Sequence, residues 1–182
     1  MRKTKLFSSD KLFCRTLILI CCLLLIPVIS SKAAVRTWIG GSGDGSASIA
    51  ANWGENDVPG PGDSIYLDAN SHEPMIWDLN VPVASWTQDG YQGTVTIKTV
   101  YPDKGSFTSL VIEGDCLINS GIWTHMINGS SEVYRMKVVV DGSFTLGIGA
   151  ELNVESKGYE PQTGPGCPVV GTGGSSSHGG MG

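Results

Sequence analysis

The chain has 182 residues, enough for one domain with a modest core, and it is rich in glycine, with 25. Six of its twelve Lys and Arg stand before Val35, so the remainder carries six basic residues against sixteen Asp and Glu, a formal charge of −10 with no basic cluster. Binding to phosphate backbones needs clustered Lys and Arg, so this balance argues against nucleic-acid partners and against adsorption to an anionic membrane surface.

The first segment, residues 1–33, reads as a secretory signal peptide. Arg2, Lys3, Lys5, Lys11 and Arg15 form a basic start, Leu17 to Ile29 is an apolar run, and Ser31-Lys32-Ala33 places small residues around a cleavage site. A membrane span needs about 20 apolar residues, and this run is shorter. Cleavage after Ala33 or Ala34 is expected, giving a secreted or cell-surface protein with no membrane insertion afterwards. Cys14, Cys21 and Cys22 leave with the signal. Cys116 and Cys167 remain as the one pair available for a disulfide in an oxidising compartment, the alternative being a buried Cys116 and a free Cys167.

Residues 34–157 read as a succession of short strands. Trp38 and Trp53 flank a Gly- and Ser-rich loop, and Pro59 to Asp63 (PGPGD) is a turn cluster before Ile65-Tyr66-Leu67. Met75, Trp77, Leu79 and Val81 alternate with polar or outward positions, as do Val95 and Ile97. Leu110-Val111-Ile112 and Cys116-Leu117-Ile118 are continuous apolar runs. Turn signals stand at Asp89-Gly90, Asp103-Lys104-Gly105, Glu113-Gly114-Asp115, Asn128-Gly129 and Asp141-Gly142.

The clearest pattern lies between Tyr134 and Val154. Tyr134, Met136, Val138, Val140, Phe144, Leu146, Ile148, Ala150, Leu152 and Val154 are all at even positions, so in an extended chain they share one face. Asp141-Gly142 interrupts the stretch and Gly147-Ile148-Gly149 invites a second bend, which predicts short rungs meeting at corners. In addition, Leu110 to Asp115 (LVIEGD) lies over Val138 to Ser143 (VVVDGS) at an offset of 28. A step in the twenties suits one coil of a β-solenoid, in which each coil buries its apolar face against the next. The expected fold is all-β, a right-handed parallel β-helix with an N-terminal cap; a small β-sandwich explains the same alternation.

Residues 158–182 form a Gly-rich tail, ending GTGGSSSHGGMG, that is expected to be a flexible linker or the start of further chain. The opening W-x-G-G (Trp38, Gly40, Gly41), A-A-N-W (Ala50 to Trp53) and V-P-G-x-G-D (Val58 to Asp63) resembles the N-terminal region of large secreted bacterial surface proteins. These are β-helical, autotransporter-like chains of glycine-rich repeat type. Gly142 to Tyr159, Gly164 to Gly166 and His178 to Gly180 resemble the glycine-rich stretch that follows their first coils. The resemblance implies a leading fragment of a longer adhesin-like or matrix-like protein.

Three functional readings follow. The first is a non-catalytic secreted or cell-surface β-structural module, with extracellular glycans or other surface proteins as partners and no cofactor. The second is a carbohydrate-binding module in which exposed Trp38, Trp53, Trp77, Trp86 or Trp123 stack on sugar rings. The third is a polysaccharide lyase or hydrolase built on the turn carboxylates Glu113, Asp115 and Asp141. These would stack on neighbouring rungs and could hold calcium or transfer protons; against this, Asp and Glu beside glycine are ordinary turn formers. His72, His125 and His178 stand in unrelated contexts, and no hydrolase, zinc-protease or phosphate-loop motif occurs. Asn128-Gly129-Ser130 fits an N-glycosylation acceptor in a eukaryotic secretory route.

Overall fold

A computed structural model of the chain describes residues 33–160, 163 and 164. The signal segment up to Lys32, Cys167, His178 and most of the glycine-rich tail lie outside the described residues.

Nine strands follow one another: β1 (Val35–Thr37), β2 (Ser64–Leu67), β3 (Met75–Trp77), β4 (Ser85–Gln88), β5 (Thr94–Ile97), β6 (Leu110–Ile112), β7 (Cys116–His125), β8 (Val138–Val140) and β9 (Phe144–Leu152). The one helical element among the described residues is a 3-10 turn at Ala50–Asn52. Every pairing between these strands is parallel. The chain therefore winds as a parallel β-helix of about four turns. One face stacks β1, β2, β4 and the first halves of β7 and β9. A second stacks β3, β5 and the second halves of β7 and β9, and a third pairs β6 with β8.

The sandwich alternative is thus excluded, because a sandwich is made of antiparallel hairpins. The offset of 28 is a true coil step. Leu110 pairs with Val138 and Ile112 with Val140, and Cys116 pairs with Phe144 at the same distance. It is one step of several. The ladder Arg36, Ile65, Trp86, Cys116, Phe144 advances by 29, 21, 30 and 28 residues. A search for a fixed period sees only the last of these coils, because the corners between strands differ in length.

The core is a column. All five tryptophans of the sequence lie inside it and touch in series, edge to face: Trp38 with Trp53 at 5.2 Å, Trp53 with Trp77 at 6.4 Å, Trp77 with Trp86 at 5.1 Å and Trp86 with Trp123 at 5.1 Å between ring centroids. The interplanar angles run from 71° to 90°, the arrangement favoured by the ring quadrupoles, and each such pair is worth about 0.5–1.5 kcal/mol beyond area burial. Ile65, Leu67, Met75, Val95, Ile97, Leu110, Ile112 and Ile118 pack round the column and are fully buried.

Three indoles find acceptors inside the coil. Trp38 Nε1 donates to Glu73 O (2.9 Å), Trp53 Nε1 to Ala47 O (2.7 Å) and Trp123 Nε1 to Gln88 Oε1 (2.9 Å). Gln88 is wholly buried and donates from Nε2 to Ser120 O at 2.5 Å, so its amide is used on both sides. Gly121 makes room for that amide. Its φ is +78°, and a Cβ there would lie 2.6 Å from Gln88 Nε2. The tryptophans are consequently not an aromatic platform for sugar. The expectation of exposed rings at Trp38, Trp53, Trp77, Trp86 and Trp123 is corrected by their burial, at no more than 1% exposure each.

Cys116 is also buried, as a free thiol, one rung below Phe144. Its burial pushes the thiol up to about 12, so the reactive thiolate is scarce at neutral pH. Asn128, the residue of the N-glycosylation pattern, has a structural place in the fold. It is buried, its Oδ1 accepts from Val133 N (2.8 Å) and Tyr134 N (2.7 Å), and its Nδ2 donates to Tyr134 O (2.9 Å), so the side chain builds the corner after β7.

Two outcomes check this core. Replacing Trp86 by Ala should cost about 3–5 kcal/mol in denaturant unfolding, whereas Thr87→Ala, one residue along on the outer face, should stay within about 0.5 kcal/mol. Cys116 should ignore a thiol reagent at pH 8 in the native protein and react at the rate of global unfolding as denaturant is added; prompt native labelling would contradict its burial.

Candidate functional site at the open end of the coil stack

The two ends of the stack are built differently. At the N-terminal end the first coil closes on itself. Trp38 and Trp53 form an antiparallel bridge, and the amides of Ile39 and Gly40 both donate to Asn52 O, at 2.9 and 3.1 Å. Asn52, fully buried, is the hub of the loop between the tryptophans. Its Oδ1 accepts from Ser42 N (2.8 Å) and its Nδ2 donates to Asp44 Oδ1 and Ser46 O, both at 2.8 Å. The A-A-N-W motif is therefore a structural one: the Asn ties the loop and the Trp begins the column.

Asp63 fastens the first coil to the second. Its Oδ1 accepts from Ala34 N (2.8 Å), and its Oδ2 accepts from Gly60 N (3.0 Å) and Arg36 Nε (2.8 Å), while Asp57 holds the other side of the guanidinium at 2.9 Å. Burial acts to push the Asp63 carboxyl up, but the Gly60 and Ala34 amides and the Arg36 charge outweigh it and hold the group below the usual carboxylate range.

The C-terminal end is open. In the last coil Phe144, Leu146, Leu152 and Val154 are 43–52% exposed, and Ile148 is fully so. Their positions in the register explain this. Phe144 lies over Cys116, Leu146 over Ile118 and Leu152 over Trp123, all of them buried side chains of the coil below. Phe144, Leu146 and Leu152 do share the coil-facing side, as their alternation predicts, but nothing among the described residues stacks on them from above. Ile148 stands at a bulge, where the register shifts between Ile118 and Ser120. A recess of about 390 Å³ lies in this end, lined by Trp123, Met136, Val138, Val140, Phe144 and Leu152. Burying any one of these large side chains is worth on the order of 1.5–3 kcal/mol, so an exposed row of them is a surface made for a cover. β9 is also a long edge strand, with one charged residue, Glu151, to discourage pairing.

The turn carboxylates are brought to one corner but do not make a site. Glu113 N donates to Val83 O and Asp141 N to Ile112 O, at 2.8 and 2.9 Å, so the two residues do mark successive rungs. Asp115 turns back to accept from Ser143 N at 2.8 Å, a corner-forming bond. Gly142 is required at this corner, since a Cβ would lie 2.6 Å from Asp115 Oδ1. No group of three or more His, Cys, Asp or Glu among the described residues is arranged to hold a metal ion, which corrects the expectation of calcium at Glu113, Asp115 and Asp141. His125 turns its Nδ1 to Met126 O (2.7 Å).

Sequence reasoning missed the corner cleft beside the open end. Tyr101, Tyr134 and Tyr159 line it together with His125, Glu132, Arg135 and Lys157, in a cavity of about 530 Å³, and the Arg135 guanidinium lies 5.0 Å over the Tyr101 ring. These residues come from three separate corners, so no local motif marks them.

No family model matches the chain, and no curated protein or solved structure matches it either. Among the described residues no helix is long and apolar enough to cross a membrane.

The closed end yields a pH test. A carboxyl held low in the native state contributes stability that is complete above the ordinary value of about 4 and is lost as pH falls through the lower native value. Asp63→Asn should therefore cost about 1–3 kcal/mol at pH 7, with the gap to the parent protein narrowing as the solution is acidified below about pH 4; a gap independent of pH would mean that the carboxylate charge is not what fastens the coils.

Proposed function

We propose that the chain is a non-catalytic, secreted or cell-surface β-structural module, the leading part of an adhesin-like or matrix-like protein. The observation that carries this reading is the contrast between the two ends. The first coil is finished by Asn52, Asp63 and the Trp38–Trp53 pair, while the last coil presents Phe144, Leu146, Ile148 and Leu152 uncovered. Such a stack begins a solenoid and hands it on, since a coil buries its inner face only against another coil.

Composition supports the same assignment. An acidic chain behind a signal-like segment suits a soluble life outside the cell. Of the turn carboxylates, Asp115 serves a corner, accepting from the Ser143 amide, and the described core is filled by a column of indoles. Extracellular glycans or other surface proteins are the partners that this reading implies.

Two measurements address it. On intact cells producing the protein, antibody against the folded module should label the surface, and labelling confined to permeabilised cells would count against a secreted role. On the purified protein, changing Leu146, Ile148 and Leu152 together to Thr should cut binding of a hydrophobic dye several-fold while leaving cooperative unfolding in place. Turnover of a polysaccharide, abolished by Asp141→Ala, would replace the structural reading with an enzymatic one.

A further inference from the structure

We infer that the tyrosine cleft at the corner after β7 is a binding site for an acidic carbohydrate, in which Arg135 takes a uronate carboxylate and the rings of Tyr101, Tyr134 and Tyr159 meet the sugar. The choice of an extracellular glycan rests on the surface-module reading above. Labelling of intact cells tests that reading, and binding by the purified protein tests this one.

The cleft is made of corner segments that the coil holds in place. Arg135 N donates to the O of buried Thr99 (3.1 Å), Thr99 Oγ1 donates to Arg135 O, and Tyr101 N donates to Val133 O (3.0 Å). Tyr101 and Arg135 are thereby kept together, the guanidinium 5.0 Å over the ring. Buried Asn128 ties the same corner to the last coil: its Oδ1 accepts from Val133 N and Tyr134 N, and its N donates to Lys157 O (3.2 Å). A site fixed before its ligand arrives loses less ordering entropy on binding. At about 530 Å³ the cleft falls in the range of small-ligand sites. A second cavity of about 410 Å³, lined also by Ser130 and Ser131, shares Tyr101, Glu132 and Tyr159 with it, and the two form a trough for several sugar units in a row.

The charges point to an anion. From Val35 onward the chain has six basic residues against sixteen acidic ones, yet the trough holds three of the six, Lys104, Arg135 and Lys157, and two of the sixteen, Asp103 and Glu132. Lys104 is paired with Asp103 at 2.9 Å. Arg135 has no such partner among the described residues, and its Nε is buried without a hydrogen bond. A half-buried guanidinium matched by one aromatic ring lacks an acceptor, and its planar fork suits a carboxylate through two parallel hydrogen bonds. Desolvation and the Glu132 carboxylate push the Tyr159 phenol up to about 12, so Tyr159 meets a ligand as a neutral hydrogen-bonding group.

A sugar fits this trough better than an acidic peptide. All three tyrosines stand between strands, so a peptide backbone would find no strand edge there to pair with. Each tyrosine is an apolar ring with a hydroxyl tip. A pyranose is built in the complementary way, apolar on its faces and hydroxylated around its rim.

Titration calorimetry and tyrosine-ring NMR on the purified protein test this, with tetragalacturonate, tetramannuronate, their methyl esters and hexaglutamate as probes. At least one uronate should bind saturably and shift the signals of Tyr101, Tyr134 and Tyr159, and its methyl ester should bind more weakly by about tenfold or more. Arg135→Gln should weaken binding by about tenfold or more, with Arg135→Lys in between, while Lys137→Gln, exposed and outside the trough, changes it by less than about twofold. Lys157→Gln should also weaken binding, which keeps the test open if Arg135→Gln fails to fold. No saturable binding of either uronate, equal affinity for acid and ester, or tighter binding of hexaglutamate would overturn the assignment, the last in favour of a peptide partner.

Discussion

The structure depends on a line of five indoles in edge-to-face contact. A parallel coil has no internal hydrogen-bonded partner; its backbone is satisfied by the coils above and below, and its side chains are buried by them. Something must fix the spacing and azimuth of successive coils when their lengths differ. Here that part is played by rings from β3, β4, β7 and the first coil, each meeting the next at 5.1–6.4 Å. The buried Gln88 amide, Ser120 carbonyl and Gly121 are arranged around the last of these rings, so even the polar part of the core follows from seating Trp123.

The class of fold was legible because strand alternation and glycine-aspartate corners are local signals. The parity of Tyr134 to Val154 and the offset between LVIEGD and VVVDGS describe the real ladder, down to Leu110 opposite Val138. The tryptophans were misread for a general reason. An aromatic ring is equally suited to a sugar platform and to a core, and the difference lies in what the neighbouring coils cover, which only the stacked structure contains. The carboxylates were half legible: Glu113 and Asp141 do occupy equivalent corners, but Asp115 spends its oxygen on the Ser143 amide, a bond that depends on the approach of Gly142. The tyrosine cleft at the corner was invisible, because Tyr101, Tyr134 and Tyr159 are gathered by coil stacking from distant stretches.

The contrast between the ends follows from the same physics. Closing a solenoid requires polar groups that satisfy the terminal backbone and a side chain that plugs the core. The first coil has both, in Asn52 and the Trp38–Trp53 pair. The last coil has neither among the described residues, and its inward side chains continue the core column as if another layer were present. The exposed face of the last coil is thus shaped like the interior of the coils beneath it.

The ladder steps of 29, 21, 30 and 28 residues carry a consequence for how a chain of this kind changes over time. The rise from rung to rung is set by backbone hydrogen bonds and is indifferent to the amount of chain spent between rungs. Length added or removed at a corner is exported sideways and leaves the axial spacing alone. The second step is eight residues shorter than the first and nine shorter than the third, at no cost in register. The scaffold thus separates two properties that are coupled in most folds: its axis keeps a constant gauge, while its flanks are free to vary in size and chemistry.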